Sequence, residues 1–465
     1  MQKISGSRIR PRPLLIVSPS WASAQVAARA TALVALIAAG TGAAQAQEAD
    51  YAPVAPFRSI ESYVDLRSSV SRTDNVFRTE SNKTSDTLGS LGVGLDFRHD
   101  GRKLDVDARG DLDWIDYLDN SFGSKAFGYF NGNATWGEPT DFFQWVARET
   151  FGQLLGDPLA AVTPDNVENV NYFSTGPTFT LPLGNVGWTK LLGLYSKSSY
   201  AQSDFNSDSL LGGLAFGHEL SSSSRLSLNG TTEHTSFDNS ANPDYDVQQY
   251  FVHYEAAGAR TTIDTDLGYT TLHEQGHSDS GLLARLRLGR RVSQSSSIYI
   301  RGSDERSSAG QSLRGGTATG GVAGASVLPA TADPFRERTY ELGWRFSGSR
   351  TDVSLLVSHI EDTYERQVSL NNTGTTYSGT FERRLQPTLT LSLIARRDSR
   401  HYDALGKYDE TNFTAELAKL FGRLGVSLRY ERYDRTGSQV GTGTPLGYTE
   451  NRAGLRLTYA LLRGQ

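Results

Sequence analysis

Residues 281–305 read GLLARLRLGRRVSQSSSIYIRGSDE. In an extended chain Ala284, Leu286 and Leu288 fall on one side, and Arg285, Arg287 and Arg291 on the other. After the polar turn Ser293-Gln294-Ser295-Ser296, Ile298 and Ile300 oppose Tyr299, Arg301 and Ser303. Side chains alternate faces along a strand, so this is a hairpin with one apolar and one charged surface. Most of the chain repeats the pattern. A sheet apolar on one side and charged on the other, continued this far, points to a barrel in a membrane.

The bulk composition agrees. The 465 residues include 21 Tyr, 20 Phe and 47 Gly, a balance that favours strands and turns over helices. No Cys is present, which excludes disulfides, thiolate metal sites and a thiol nucleophile. Mean hydropathy is −0.41, which rules out a bundle of membrane helices but not a barrel, where only alternate residues meet lipid.

The N-terminus supplies the compartment. Lys3, Arg8, Arg10, Arg12 and Arg29 precede or border the apolar run ATALVALIAAG at 30–40, followed by Ala44-Gln45-Ala46. Basic region, short apolar core and small-x-small site read as a secretory signal over 1–46; the core is too short to serve as an anchor. Of 46 Lys and Arg, five leave with it, so 41 basic residues face 51 acidic ones, a net charge of −10. That balance argues against a nucleic-acid partner. Residues 47–57 read as a short periplasmic lead, and 58–462 as the barrel.

The expected fold is all-β: a transmembrane antiparallel up-and-down barrel of about 18–20 strands. Short connections alternate with long ones. His99-Asp100-Gly101-Arg102, Gly184-Asn185-Val186-Gly187 and Gly422-Arg423 are among the short turns; 74–86, 152–169, 238–246, 307–336 and 435–447 are the long loops. Outer-membrane barrels have short periplasmic turns and long outer loops, so an even strand count with both ends inside follows. Trp136, Trp188, Trp145 and Trp344 lie near the short turns and Trp114 near an outer strand end, as interface anchors would. In the last strand Ala453, Leu455, Leu457, Tyr459 and Leu461 share a face, and pairing with the first strand would close the wall. The chain ends Leu461-Leu462-Arg463-Gly464-Gln465 rather than on the aromatic residue usual in strands read by the barrel-insertion machinery, an expected partner. Outer-membrane lipid and lipopolysaccharide are the others. No propeller repeat of about 40 residues is visible.

Several segments resemble the outer-membrane family called putative β-barrel porin 2. They are Thr73-Asp74-Asn75-Val76-Phe77, Thr163-Pro164-Asp165-Asn166, Ser174-Thr175-Gly176-Pro177, Gly258-Ala259-Arg260-Thr261-Thr262, Ala332-Asp333-Pro334-Phe335 and Tyr448-Thr449-Glu450-Asn451-Arg452. The resemblance spans roughly 58–462 and implies a Gram-negative outer-membrane barrel linked to exopolysaccharide export or assembly, with polysaccharide or export-system proteins as partners. It carries no catalytic residues.

Enzymatic signals are weak. His273-Glu274-Gln275-Gly276-His277 matches the H-E-x-x-H zinc signature, but Gly276 interrupts it and no amphipathic helix surrounds it; an outer loop is expected there. The oxygen-rich 163–169 lacks the spacing of a calcium loop, and Gly315-Gly316 with Gly320-Gly321 lack the Lys of a phosphate cradle. The reading is therefore no enzyme, no cofactor, no catalytic set and no metal.

Function rests on the charged face. Arg285, Arg287, Arg301, Arg345, Arg396, Arg429 and Arg456 oppose the apolar stripe, as do Asp105, Asp107, Asp111, Asp113, Asp264, Asp266, Glu305, Glu341, Glu382 and Glu431. Charges on a lipid face cost about 2–4 kcal/mol at mid-depth, so these groups are expected to line a lumen. Bases concentrate in the C-terminal half and several acids in the N-terminal half, which suggests a transverse field. Near twenty strands the barrel is too wide for side chains alone to fill. The expected function is a porin-like channel for small or sugar solutes; the alternative is a non-conducting structural or assembly barrel. An outer-membrane hydrolase is the alternative of another class. Loop 307–336 is the candidate plug, and Tyr299 and Tyr433 are candidate sugar-stacking residues.

Overall fold

The computed structural model describes residues 63–138, 141–312, 328–441, 443 and 445–463. The signal segment, the periplasmic lead, the expected strand start at 58 and the paired glycines of 315–321 lie outside the described residues.

Twenty strands run in chain order. β1 (Tyr63–Thr73), β2 (Asp86–Asp100), β3 (Leu104–Tyr117), β4 (Lys125–Trp136) and β5 (Phe143–Leu155) come first. β6 (Val167–Leu183), β7 (Gly187–Tyr200), β8 (Ser207–Ser221), β9 (Ser224–Phe237) and β10 (Tyr245–Ala257) follow. Then come β11 (Thr261–Glu274), β12 (His277–Arg291), β13 (Ser296–Ser307), β14 (Phe335–Ser347) and β15 (Thr351–Tyr364). β16 (Asn372–Gln386), β17 (Leu389–Tyr402), β18 (Gly406–Phe421), β19 (Leu424–Gln439) and β20 (Tyr448–Arg463) complete the sheet. Each pairs antiparallel with its sequence neighbour, and β1 pairs with β20 from Thr73↔Arg452 to Tyr63↔Arg463. The sheet closes on itself, with every strand paired on both sides.

Strands of 11 to 17 residues exceed the 9–11 or so that a tilted strand needs to cross a bilayer. The surplus carries charge on the outer face: Arg336 donates to Asp304 at 2.5 Å and Arg338 to Glu361 at 3.1 Å near the outer ends of β13–β15. Below them the outer face is apolar, with Leu228, Tyr250, Leu267, Leu282, Leu286 and Ile300 all exposed.

Several connections are shorter than the sequence suggested. The expected loop 152–169 shrinks to 156–166, 307–336 to 308–334 and 435–447 to 440–447, because strand pairing continues beyond the apolar alternation. The H-E-x-x-H segment is not a loop. Its Gln275-Gly276 is the two-residue turn of the β11–β12 hairpin, with φ of 39° and 85°, the double positive φ that suits the strand twist. Trp188 departs from the anchor pattern: register puts it with Ser196 on the face opposite exposed Leu191, and Lys190 sits 5.0 Å over its ring.

Candidate functional site

Contacts across the ring identify the inner face. Arg435 of β19 donates to the carbonyls of Leu159 at 2.6 Å and Ala160 at 3.1 Å, in the connection after β5, six strands away. The face bearing Arg435 is therefore inside, and the alternate face with the exposed leucines is outside.

Register carries that assignment to the charged residues. Asp264, Arg287, Arg301 and Glu341 form one row across β11–β14, with Asp266 and Arg285 in the next row up. Asp105, Asp107, Asp111 and Asp113 oppose Asp100, Arg98, Gly94 and Gly92 on β2. Arg345 lies opposite Ser354, Glu382 opposite Asp352, Arg396 opposite Ser378, and Arg429 opposite Glu416. Arg456 lies between Ser427 and Ser69, and Glu431 opposes Arg452.

Some of these groups are brought together. His253, Asp266, Arg285 and Glu305 form a chain: His253 Nδ1 is 2.8 Å from Asp266, and Arg285 donates to Asp266 at 3.2 Å and Glu305 at 2.7 Å. Arg429 donates to Glu431 at 2.7 Å and lies 3.6 Å from Glu416; Arg396 donates to Asp398 at 2.6 Å. Arg67 lies between Asp65, at 2.9 Å, and Asp111. Gly94 makes that possible, since a Cβ there would sit 2.5 Å from the Arg67 guanidinium. Arg287 and Arg301 face each other, and neither forms an ion pair among the described residues.

The expected transverse field is modified by this pairing. C-terminal arginines such as Arg285, Arg396 and Arg429 are locally matched by acids. The inner face of β1–β3 instead carries Asp65, Asp96, Asp100, Asp105, Asp107, Asp111 and Asp113 against only Arg67, Arg98 and Arg109, a wall with excess negative charge. Sequence halves hid this because ion pairs form between neighbouring strands, not between halves.

Metal chemistry has little to build on. His273 and His277 fall on opposite faces, since His277 pairs with Glu274 across the turn, so the two rings cannot share an ion. Glu274 faces Arg366 at 3.4 Å. Ligand atoms of His253, Asp264 and Asp266 come within 4.8 Å of one another, but Asp266 is already held by Arg285. In 163–169 the Asn166 side chain bonds Asp157 and Ala161 backbone, and Glu168 accepts from Gln202 and Ser203 at 2.5 Å, so these oxygens serve loop geometry.

The outer mouth is spanned by a feature the sequence did not announce. Above Phe130↔Phe151 the β4–β5 ladder ends, and the β5–β6 hairpin leans inward. Both of its faces are buried: Leu155 and Val167 pack with Leu88, Tyr117 and Phe127, while Leu154 and Val170 pack with Ala309, Leu328, Phe335 and Tyr364. Its tip reaches the far wall, where Leu159 meets Tyr402 and Tyr408. Described parts of the expected plug, 308–312 and 328–334, support this hairpin from the side; Leu155 N–H donates to Leu328 at 3.0 Å. The run Pro158-Leu159-Ala160-Ala161-Val162, too apolar for a solvated loop, was the available signal.

Arg78 anchors this cap. It donates to Glu450 at 2.7 Å and to the Val162 carbonyl at 2.9 Å, with its guanidinium 4.4 Å from the centre of the Tyr433 ring. Burial alone would push the guanidinium toward neutrality; Tyr448, Glu450 and Tyr433 instead hold it well above its ordinary value. Tyr433 is thus buried in the cap and presents no stacking platform to the lumen.

Closed ring, apolar exterior and charged interior define a large outer-membrane-type β-barrel. No protein-family model matches the chain, and no curated protein matches it. Solved structures that resemble it include the FrpB iron transporter from Neisseria meningitidis, at 11% identity and TM-score 0.41, covering 86% of this chain and 82% of that one. The siderophore receptor PirA from Pseudomonas aeruginosa aligns at 10% identity and TM-score 0.41, over 86% and 80%. The siderophore receptor PiuA from Acinetobacter baumannii aligns at 8% and 0.40, over 87% and 82%.

Proposed function

We propose that the chain is a porin-like channel of the Gram-negative outer membrane, passing small hydrophilic solutes, sugars among them. The observation that carries this reading is the division of faces on a closed ring of 20 strands: exposed leucines outside, rows of Asp, Glu and Arg inside. A charged interior at this strand number is of the class that holds water. The signal-like N-terminus accounts for export, and the paired charges above the apolar band suit contact with lipopolysaccharide headgroups. The resemblance in loop and strand-start segments supports a place beside surface-polysaccharide machinery. Purified protein in a planar bilayer tests the reading: stepwise conductance is expected, and folded protein without it would remove the channel.

A second reading, a non-conducting assembly barrel, is favoured by the hairpin across the mouth. It expects no conductance and co-purification with export-system proteins.

A further inference from the structure

We infer that the tip of the β5–β6 hairpin, residues 152–170, is a gate that closes the outer mouth and swings about its β6 edge to open it. The inference rests on the channel reading above.

On the β5 side the attachment is loose. The β4–β5 ladder has seven residue pairs, from Trp136↔Trp145 to Phe130↔Phe151, although β4 continues to Lys125. At the break Gly128 has φ 143°, and a Cβ there would lie 1.8 Å from the Asp111 carbonyl oxygen. In place of ladder bonds a side chain bridges the gap: Gln153 accepts from Gly128 N–H at 3.3 Å and donates to Asn169 at 3.0 Å. Such bonds can be exchanged for water when the strands part. On the β6 side the attachment is firm. Ala201 N–H donates to the Asn169 carbonyl at 3.0 Å, and Glu168 accepts from the next two backbone amides at 2.5 Å. The β5 edge also exchanges two backbone bonds with the β13–β14 connection, Leu155 N–H to the Leu328 carbonyl at 3.0 Å and Ala330 N–H to the Leu155 carbonyl at 2.8 Å, so it is the more lightly held edge and the β6 side is the hinge.

The tip is held by contacts that can be released without leaving a buried charge unpaired. Arg435 and Arg78 from the wall donate to tip carbonyls, as does Lys125 to the Val167 carbonyl at 2.7 Å. Those carbonyls accept equally well from water once exposed. When the tip leaves, Arg78 stays on Glu450 and Arg435 keeps the Tyr408 ring, 3.7 Å from its centre, while Lys125 exchanges the tip carbonyls for water. Among the described residues the tip's own acids, Asp157, Asp165 and Glu168, form no ion pair with the wall. On its β5 edge the tip's strand pairing is limited to the single Leu155–Pro329 bridge, and the ion pairs among the described residues lie within the wall.

The absence of Cys makes the test clean. Leu405 of the β17–β18 connection packs against the cluster of Leu159, Tyr402 and Tyr408, so Leu159→Cys with Leu405→Cys places two unique thiols across the mouth. A short reducible methanethiosulfonate cross-linker joins them, and conductance is read in a planar bilayer. Linking is expected to lower conductance at least about tenfold, reductant to restore it, and Arg435→Ala to raise the open fraction in the unlinked protein. Equal conductance before and after reduction, with linkage shown by gel mobility, overturns the gate and leaves the channel standing. A variant with 156–166 replaced by a short Gly-Ser turn separates the two readings. If it folds, by heat-modifiable mobility, and still does not conduct, the channel reading falls and the gate with it.

Discussion

Replacing Leu286 by Arg puts the assignment of the two faces at risk. Leu286 is exposed, opposes Gly302 on β13 and Thr265 on β11, and lies on the face shared with Ile300 and Leu267. It stands five residues above Arg291, the inner end of β12. At a rise of about 3.3 Å and a tilt of about 40°, that is roughly 13 Å, near the middle of an apolar band about 25 Å tall. An arginine at that depth costs about 2–4 kcal/mol, or roughly 30- to 700-fold in the folding equilibrium. The neighbouring Arg287 points inward and has no ion-pair partner among the described residues, so Arg287→Leu is expected to change stability by no more than about 0.5 kcal/mol. Equilibrium unfolding in lipid vesicles, followed by tryptophan fluorescence, reads both. If Leu286→Arg is silent and Arg287→Leu is costly, the two faces have been exchanged.

Three further outcomes are expected. Glu450→Gln leaves the fully buried Arg78 without its charge partner and should destabilise the barrel by about 3–5 kcal/mol, visible as earlier urea unfolding. Gly92→Ala would place a Cβ 2.7 Å from the Leu112 carbonyl oxygen and should cost about 1–3 kcal/mol, while Gly212→Ala, with nothing within 4 Å, should be close to neutral in the same assay. Asp105→Asn combined with Asp107→Asn and Asp113→Asn thins the acidic wall; the wild-type pore should prefer cations, and its reversal potential in a salt gradient should move toward zero in the triple variant. No movement would mean that this wall does not meet the permeating ions.

Alternation with period two made the barrel legible. Lipid outside and charge inside impose opposite demands on successive residues, so β12, β13 and β20 declare both their conformation and their faces without reference to any neighbour. Short turns were readable for the same local reason. The pattern also put the charged residues on one common face, because register in a closed antiparallel sheet preserves face membership from strand to strand.

Pairing partners and the state of the mouth required the tertiary structure. Which arginine meets which acid depends on register, and Arg285 could be assigned to Asp266 and Glu305 only once β11 and β13 lay beside β12. The β5–β6 tip defeats the alternation rule because it is buried on both sides: Leu154 and Leu155 are adjacent in sequence and face opposite packing clusters. Its contacts span the chain, with Arg435 and Leu159 separated by 276 residues. The sequence by itself determined an amphipathic wall, because solvent on either side acts on each residue separately. Only the folded ring decided that the wall is capped, because a cap is made of contacts between residues that no local pattern relates.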